Sequence, residues 1–366
     1  MRIAYGVMGY GRGHSIRARA VLPALMREHE VTVFAGGDAY AMLAADFPTV
    51  RIPTLGYVYG RSGQVSFPAT ISANAGQTTQ LLLGGPALRA VMDEFQRLGI
   101  ELAISDSEAW THQAARRLGI PRIGFDHVGV IAFCKPHYPA ELAWRGRRDA
   151  WGYRRLMGRP DRVIVSSFYP VQPLAADTQV VGPILRPEVR SASARPGDYL
   201  LCYFNKGHLQ YTPRLERELQ ELDLPVLIYG TPEEGTRGNL VFRPIDPLRF
   251  VQDFAGCRAV IATAGNQLIG EALHLRKPVL ALPERVFEQE LNAWIVERLG
   301  IGRSSRFATV TADEIELFLA EAPACAARME GYGGDGTAEA IAGLRRCIGE
   351  LGAERRRDLA GREPTA

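Results

Sequence analysis

The run Ala259-Val-Ile-Ala262 leads straight into Thr263-Ala-Gly-Asn-Gln267, and helical spacing follows from Leu268 to Leu275. A short apolar run rich in β-branched residues reads as a buried strand, which makes the small polar residues a strand-to-helix turn. That order of elements commits this part of the chain to an α/β layer fold. It also builds an anion cradle, because the first-turn N–H groups of a helix are unpaired and its dipole favours negative charge there. Thr263, Ala264, Gly265, Asn266 and Gln267 line the cradle, and Gly265 allows a ligand close to the main chain. Glu271, farther along the same helix, is placed to accept from two vicinal ribose hydroxyls. A second buried run, Val279 to Leu282, follows Lys277-Pro278, and the acid-amide pair Glu288-Gln289 beyond it suits sugar hydroxyls.

Two series of alternating strands and helices flank a break. In the first, strands are expected at Arg2–Met8, Val31–Ala35, Glu101–Ser105, Arg122–Phe125 and Arg162–Ser166, with helices at Ile16–Arg27 and Ala109–Leu118. The second series starts at Tyr199–Tyr203, after Val180-Val-Gly-Pro-Ile-Leu-Arg-Pro187 and a small polar stretch that reads as a linker. Alternation of this kind implies parallel sheets covered on both faces. The expected division is 1–182 for a first domain, 183–345 for a second, and 346–366 for the end of a terminal helix and a disordered tail beginning at Asp358. Ligands bind such sheets at the carboxyl ends of their strands, so a cleft lined by both halves is expected.

Composition excludes several classes. With 366 residues the chain exceeds one ordinary core, and 46% apolar with 23% charged residues is globular. Only three of the 43 basic residues are lysines, and a net charge of +3 is no nucleic-acid footprint. No apolar run reaches membrane-span length, and Gly6, Gly9, Gly11 and Gly13 interrupt the stretch a signal peptide would need, so a cytoplasmic protein is expected. Five scattered cysteines without ligand spacing point to reduced thiols and no zinc.

The segment from about Thr263 to Ala293 resembles the donor signature of inverting GT-B glycosyltransferases, the group holding the UDP-glycosyltransferases and MurG-like enzymes. There too a small-residue turn precedes a Glu, a Pro-led strand follows, and an acid-Gln pair precedes Asn-Ala. Thr263 stands where a His or Arg often reaches the diphosphate, and Gln267-Leu268 where Asn-Ser is usual. The resemblance implies two doubly wound Rossmann-like domains facing across a cleft, and a sugar moved from a UDP-sugar, or less readily a dTDP-sugar, to a hydroxyl of a small molecule or lipid. The UDP-sugar is a co-substrate; no cofactor and no metal is expected, and no Asp-x-Asp triplet occurs.

In the first half, Gly9-Tyr-Gly-Arg-Gly-His14 follows the first strand and opens a helix, and His14 stands where a nicotinamide fingerprint would need glycine. An imidazole titrating near neutrality suits a general base. Similar enzymes place their base in such a Gly-His turn and orient it with an Asp ending a later strand, positions matched by His14 and Asp106. A plain N-cap is the other reading of Asp106, and Gly13 in the same turn is a donor contact. The resemblance further assigns Asn205 and Lys206 to the donor phosphates and Phe242 and Ile245 to the base. Tyr57, Asp126 and His127 are expected at the acceptor. The long stretches Gly56–Gly85 and Cys134–Arg159 read as acceptor walls. The second carries Trp144, Trp151 and many arginines, which suit an aromatic or lipid-linked acceptor, peripheral membrane contact, or packing as an amphipathic helix. Two other classes stay open: a catalytically silent nucleotide-sugar-binding subunit and a GT-B UDP-sugar 2-epimerase. The oligomeric state is not legible.

Overall fold

The computed structural model describes residues 1–60, 64–331 and 334–360. They fall into two compact units, the first holding Met1–Gly56, Ile71–Ile184 and the chain from Gly336 onward, the second Tyr57–Thr70 and Leu185–Asp335. Each unit is built on its own seven-stranded sheet.

The first sheet runs β3 (Thr49–Arg51), β2 (Glu30–Ala35), β1 (Arg2–Val7), β4 (Leu102–Asp106), β5 (Arg122–Asp126), β7 (Arg162–Ser166) and β9 (Thr178–Val181), all parallel. A separate antiparallel pair, β6 (Cys134–Lys135) with β8 (Gln172–Pro173), lies between them in sequence. The strands are apolar runs because both sheet faces are covered. One core gathers Ile3, Tyr5, Val7, Val21, Leu22, Ile104 and Ile123, together with Leu344, Ile348 and Leu351 of the C-terminal helix. A second cluster gathers Phe34, Phe95 and Trp110.

The second sheet runs β12 (Gly235–Arg237), β13 (Leu240–Arg243), β11 (Val226–Tyr229), β10 (Leu200–Tyr203), β14 (Ala259–Ala262), β15 (Val279–Ala281) and β16 (Gly302–Ser304). Only β12 runs antiparallel to its neighbour. Its core holds Leu200, Phe204, Leu219, Ile228, Phe242, Ile261 and Phe318.

Three differences from the sequence reading concern boundaries. The stretch Gly56–Gly85 is not mostly loop but carries a helix, Phe67–Leu83, of which Leu81 alone is buried. The C-terminal helix is one element, Thr337–Ala360, packed on the helix Gly13–Leu25 and on β7, so a boundary at 345 cuts it and residues 358–360 are helical. Positions 361–366 of the expected tail lie outside the described residues. Among the described residues no helix is long and apolar enough to cross a membrane.

Candidate active site

In the first sheet the strand order reverses between β1 and β4, whose ends pair as Val7 with Asp106. Loops diverge there and leave a crevice, the usual ligand position of an open α/β sheet. The chain leaving β1 turns through Gly11, whose φ of 81° suits glycine and whose N–H donates to Asp38 Oδ2 at 3.0 Å. The helix starts at Gly13, three residues earlier than expected, so His14 is its second residue instead of part of the loop.

His14 Nδ1 lies 2.7 Å from Asp106 Oδ1. Asp106 is fully buried at the end of β4, while the His14 side chain stays 20% exposed. Arg17, one turn on from His14, brackets the same carboxylate, with Nε 2.8 Å from Oδ2 and Nη2 2.5 Å from Oδ1. Arg17 Nη2 is also 2.9 Å from His14 Nδ1. Carboxylate only accepts, so in a neutral imidazole the contact with Asp106 calls for the proton on Nδ1 and leaves Nε2 its lone pair. Burial pushes the Asp106 carboxyl up, but Arg17 and His14 beside it outweigh this and hold it below the usual range. Asp106 is not the cap of the following helix. Glu108 is, accepting from Trp110 N and Thr111 N, and burial lifts its carboxyl to about 7. Between them Ser107 sits at φ 52°, a conformation costly for a residue with a Cβ, and donates its N–H to Asp126 Oδ2 at 3.2 Å. Sequence reading missed Arg17, although its three-residue spacing from His14 on one helix places both on the same face.

Asp126 and His127 are buried at the end of β5. Asp126 accepts from Tyr153 Oη and Gly129 N, each at 2.5 Å, and burial followed by the nearby Asp106 charge pushes its carboxyl up. His127 Nδ1 donates to the Ser166 carbonyl at 2.7 Å. Tyr153 belongs to the helix Ala143–Met157, which buries Gly146, Ala150 and Met157. Trp144 and Trp151 on that helix are exposed, and Arg148 stacks over the Trp144 ring at 5.5 Å.

The second sheet reverses its order between β10 and β14, paired at Tyr203 and Ala262. The turn after β14 holds Thr263 to Gly265, with Gly265 as N-cap of the helix Asn266–His274, which Asn266 and Gln267 open. A Cβ on Gly265 would meet nothing within 4 Å, so the space above the turn is open. Asn266 is buried, yet its Oδ1 has no hydrogen-bond partner among the described residues. A buried orphan acceptor marks a place where a donor group belongs. The loop after β10 carries Asn205 and Lys206, both half-buried, and Lys206 N donates to Gln210 Oε1 at 2.9 Å. Asn292 ties Glu288 to the turn, donating 2.6 Å to Glu288 Oε1 and 3.0 Å to the Ala264 carbonyl. Ile245 lies half-buried in the loop after β13, and Tyr57 is 40% exposed and belongs to the second unit.

Three donor assignments change in the structure. Phe242 points inward from β13 into the core, with Tyr211 edge-on at 5.7 Å and Arg237 over its ring at 4.4 Å, so it offers no face to a nucleotide base. Gln289 is turned to Glu284, donating to its Oε2 and accepting from its N–H, each at 3.0 Å. Glu284, unnoticed in the sequence, is buried and also accepts from Gln210 Nε2 and Tyr59 Oη, each at 2.5 Å. Glu271 is only 1% exposed, and both its oxygens are held by Arg186, with Nε 3.0 Å from Oε1 and Nη2 2.7 Å from Oε2. Gln267 Nε2 adds a bond to Oε1 at 2.9 Å. Both oxygens of Glu271 thus have donors from within the second unit, where the sequence reading expected ribose hydroxyls. No sequence signal singles out Arg186 among the many arginines. Among the described residues no group of three or more His, Cys, Asp or Glu gathers as a metal site.

Two Rossmann-like sheets in one chain, each with a switch point in its strand order, make the GT-B fold. Residues 1–323 match the glycosyl transferase family 1 model, and the chain belongs to that family. An uncharacterized glycosyltransferase of Methanosarcina acetivorans is 25% identical over 336 residues, covering 84% of this chain and 86% of that protein. Among solved structures, the glycotransferase of kitacinnamycin aligns with a TM-score of 0.66 at 21% identity, over 94% of this chain and 98% of that one. MurG of Acinetobacter baumannii aligns at 0.60 with 16% identity, over 94% and 99%. Glycosyltransferase VinC in complex with dTDP aligns at 0.60 with 16% identity, over 98% and 100%.

Proposed function

We propose that this glycosyltransferase inverts the anomeric centre, moving a sugar from a UDP-sugar, or less readily a dTDP-sugar, to a hydroxyl of a small-molecule or lipid acceptor. The observation that carries the reading is the imidazole of His14 bound through Nδ1 to a buried carboxylate at a sheet switch point. In this reaction His14 Nε2 takes the acceptor hydroxyl proton as that oxygen bonds to the anomeric carbon. The bond from that carbon to the diphosphate oxygen breaks, and UDP leaves with the electron pair. Asp106 keeps the tautomer and stabilises the imidazolium that forms. The helix Asn266–His274 faces its positive end to the leaving diphosphate, and Thr263, Ala264, Gly265 and Glu288 frame the donor. Asp126, His127 and Tyr57 serve the acceptor, and the exposed Trp144 and Trp151 suit an aromatic or lipid partner at a membrane surface. Five buried free thiols fit a reducing, cytoplasmic setting.

Gly265→Val tests the donor half. Gly265 has an ordinary extended backbone (φ −73°, ψ 131°), and open space lies where a side chain would go. The variant is expected to stay folded, losing about 1 kcal/mol for a poorer N-cap residue. It should lose about tenfold or more in UDP affinity, roughly 1.4 kcal/mol. Unchanged affinity in calorimetry would remove the diphosphate from this turn.

A further inference from the structure

The turn that carries Asp106 is held at its backbone as well as at its carboxylate. One peptide links Asp106 to Ser107, and both of its polar ends are pinned: the Asp106 carbonyl accepts from Met8 N–H at 3.0 Å, and Ser107 N–H donates to Asp126 Oδ2 at 3.2 Å. Ser107 is one of two non-glycine residues with positive φ among the described residues, the other being Arg276. A residue with a Cβ keeps that conformation where its surroundings impose it. Ser105 Oγ closes the turn from within, accepting from Glu108 N–H at 2.9 Å and donating to the Glu108 carbonyl at 2.7 Å. Asp126 grips it from the neighbouring strand, β5.

Asp126 is itself immobilised. Gly129 N–H donates to Oδ1 and Tyr153 Oη to Oδ2, each at 2.5 Å. Position 129 suits glycine, because a Cβ there would come within 3.1 Å of Asp126 Oδ1. Both Asp126 oxygens thus accept from groups of the first unit, and the residue is only 3% exposed, which leaves little carboxylate for an acceptor to touch. What this carboxylate holds is backbone. Pinning that peptide plane fixes ψ of Asp106 and φ of Ser107, and with them the direction in which the Asp106 side chain leaves β4 toward His14 Nδ1, 2.7 Å away. A shift of about 1 Å in such a constellation costs about 10²-fold in rate. Resting on the catalytic reading above, we infer that Asp126, steadied by Tyr153, is a positioning residue that pins the Asp106–Ser107 peptide and through it the carboxylate that orients His14. It serves the acceptor through that dyad.

UDP release from UDP-glucose and UDP-N-acetylglucosamine in water is the probe, because a residue that only touched an organic acceptor would leave this reaction alone. Asp126→Asn keeps the shape but turns one accepting oxygen into a donor. It is expected to lower kcat about 10- to 100-fold and leave the KM for the UDP-sugar within about threefold. An amide among buried donors endangers folding, so Tyr153→Phe, which removes a single donor, is measured alongside and should fall between. The decisive variant adds Ser107→Gly to Asp126→Asn. Glycine adopts positive φ without strain, so the double variant should regain about fivefold or more of the lost kcat. An NMR readout needs no substrate: the imidazole Nδ1–H proton of His14, assigned by its loss in His14→Ala, should shift or broaden in Asp126→Asn and return in the double variant. Unchanged kcat in Asp126→Asn, a double variant no better than Asp126→Asn, or an Nδ1–H signal unmoved by Asp126→Asn overturns the assignment. If the unaltered protein releases no UDP, the catalytic reading itself has failed, and the NMR arm alone decides whether Asp126 positions the pair.

Discussion

Replacing His14 with alanine is expected to lower kcat by about 10²- to 10⁴-fold, the usual contribution of a positioned proton acceptor, while UDP affinity stays within about twofold. The split follows from the geometry. His14 belongs to the first unit with its Nδ1 facing Asp106, and in the proposed reaction its Nε2 acts on the acceptor and not on the nucleotide. Steady-state kinetics with saturating donor, together with calorimetry on UDP, measures both arms. A variant that loses UDP binding and keeps kcat would make His14 a phosphate contact instead of a base.

Arg17→Leu is expected to destabilise the fold by about 3 to 5 kcal/mol, the cost of leaving a buried charge without its partner. Asp106 is fully buried, and two Arg17 nitrogens bind it. The pH dependence carries the sign. In the native protein Asp106 titrates below its unfolded value, so its contribution is present above the ordinary carboxylate range and is lost as pH falls through its lowered pKa. Without Arg17, burial raises the carboxyl instead, so protonation relieves the variant. The stability gap between the two proteins should therefore narrow on acidification, beginning where the raised carboxyl of the variant titrates and continuing down through the lowered pKa of the native one. Urea unfolding at neutral and acid pH checks both statements; a gap that widens in acid would mean that Asp106 does not depend on Arg17 for its charge.

The parts legible in the sequence were those written in local pattern. Apolar runs such as Ala259–Ala262 and Arg162–Ser166 are strands as expected, because a sheet covered on both faces needs continuous apolar segments. His14 and Asp106 were recognisable as partners through the resemblance, and their places at the carboxyl ends of two strands of one sheet made their meeting plausible. Phe242 was misplaced although the signal existed: Leu240 and Phe242 alternate with half-buried Val241 and Arg243, which marks an inward face. The helix Phe67–Leu83 was missed because Ser, Thr, Asn, Gln and Gly fill it and it buries a single residue, leaving almost no periodicity to read. Arg186 and Glu284 were illegible for a different reason. Their partners lie 85 and up to 225 residues away, and only folding brings a guanidinium against Glu271 or three donors onto one carboxylate. Long-range side-chain pairing leaves no trace in a single chain's local composition.

The most direct measurement supplies the purified protein with UDP-sugars and follows UDP release in water, where the solvent replaces the acceptor. The account predicts slow, steady release that disappears in His14→Ala although that variant still binds UDP. Equal release from both proteins, isomerisation of the sugar, or binding without turnover across a broad acceptor panel would contradict it.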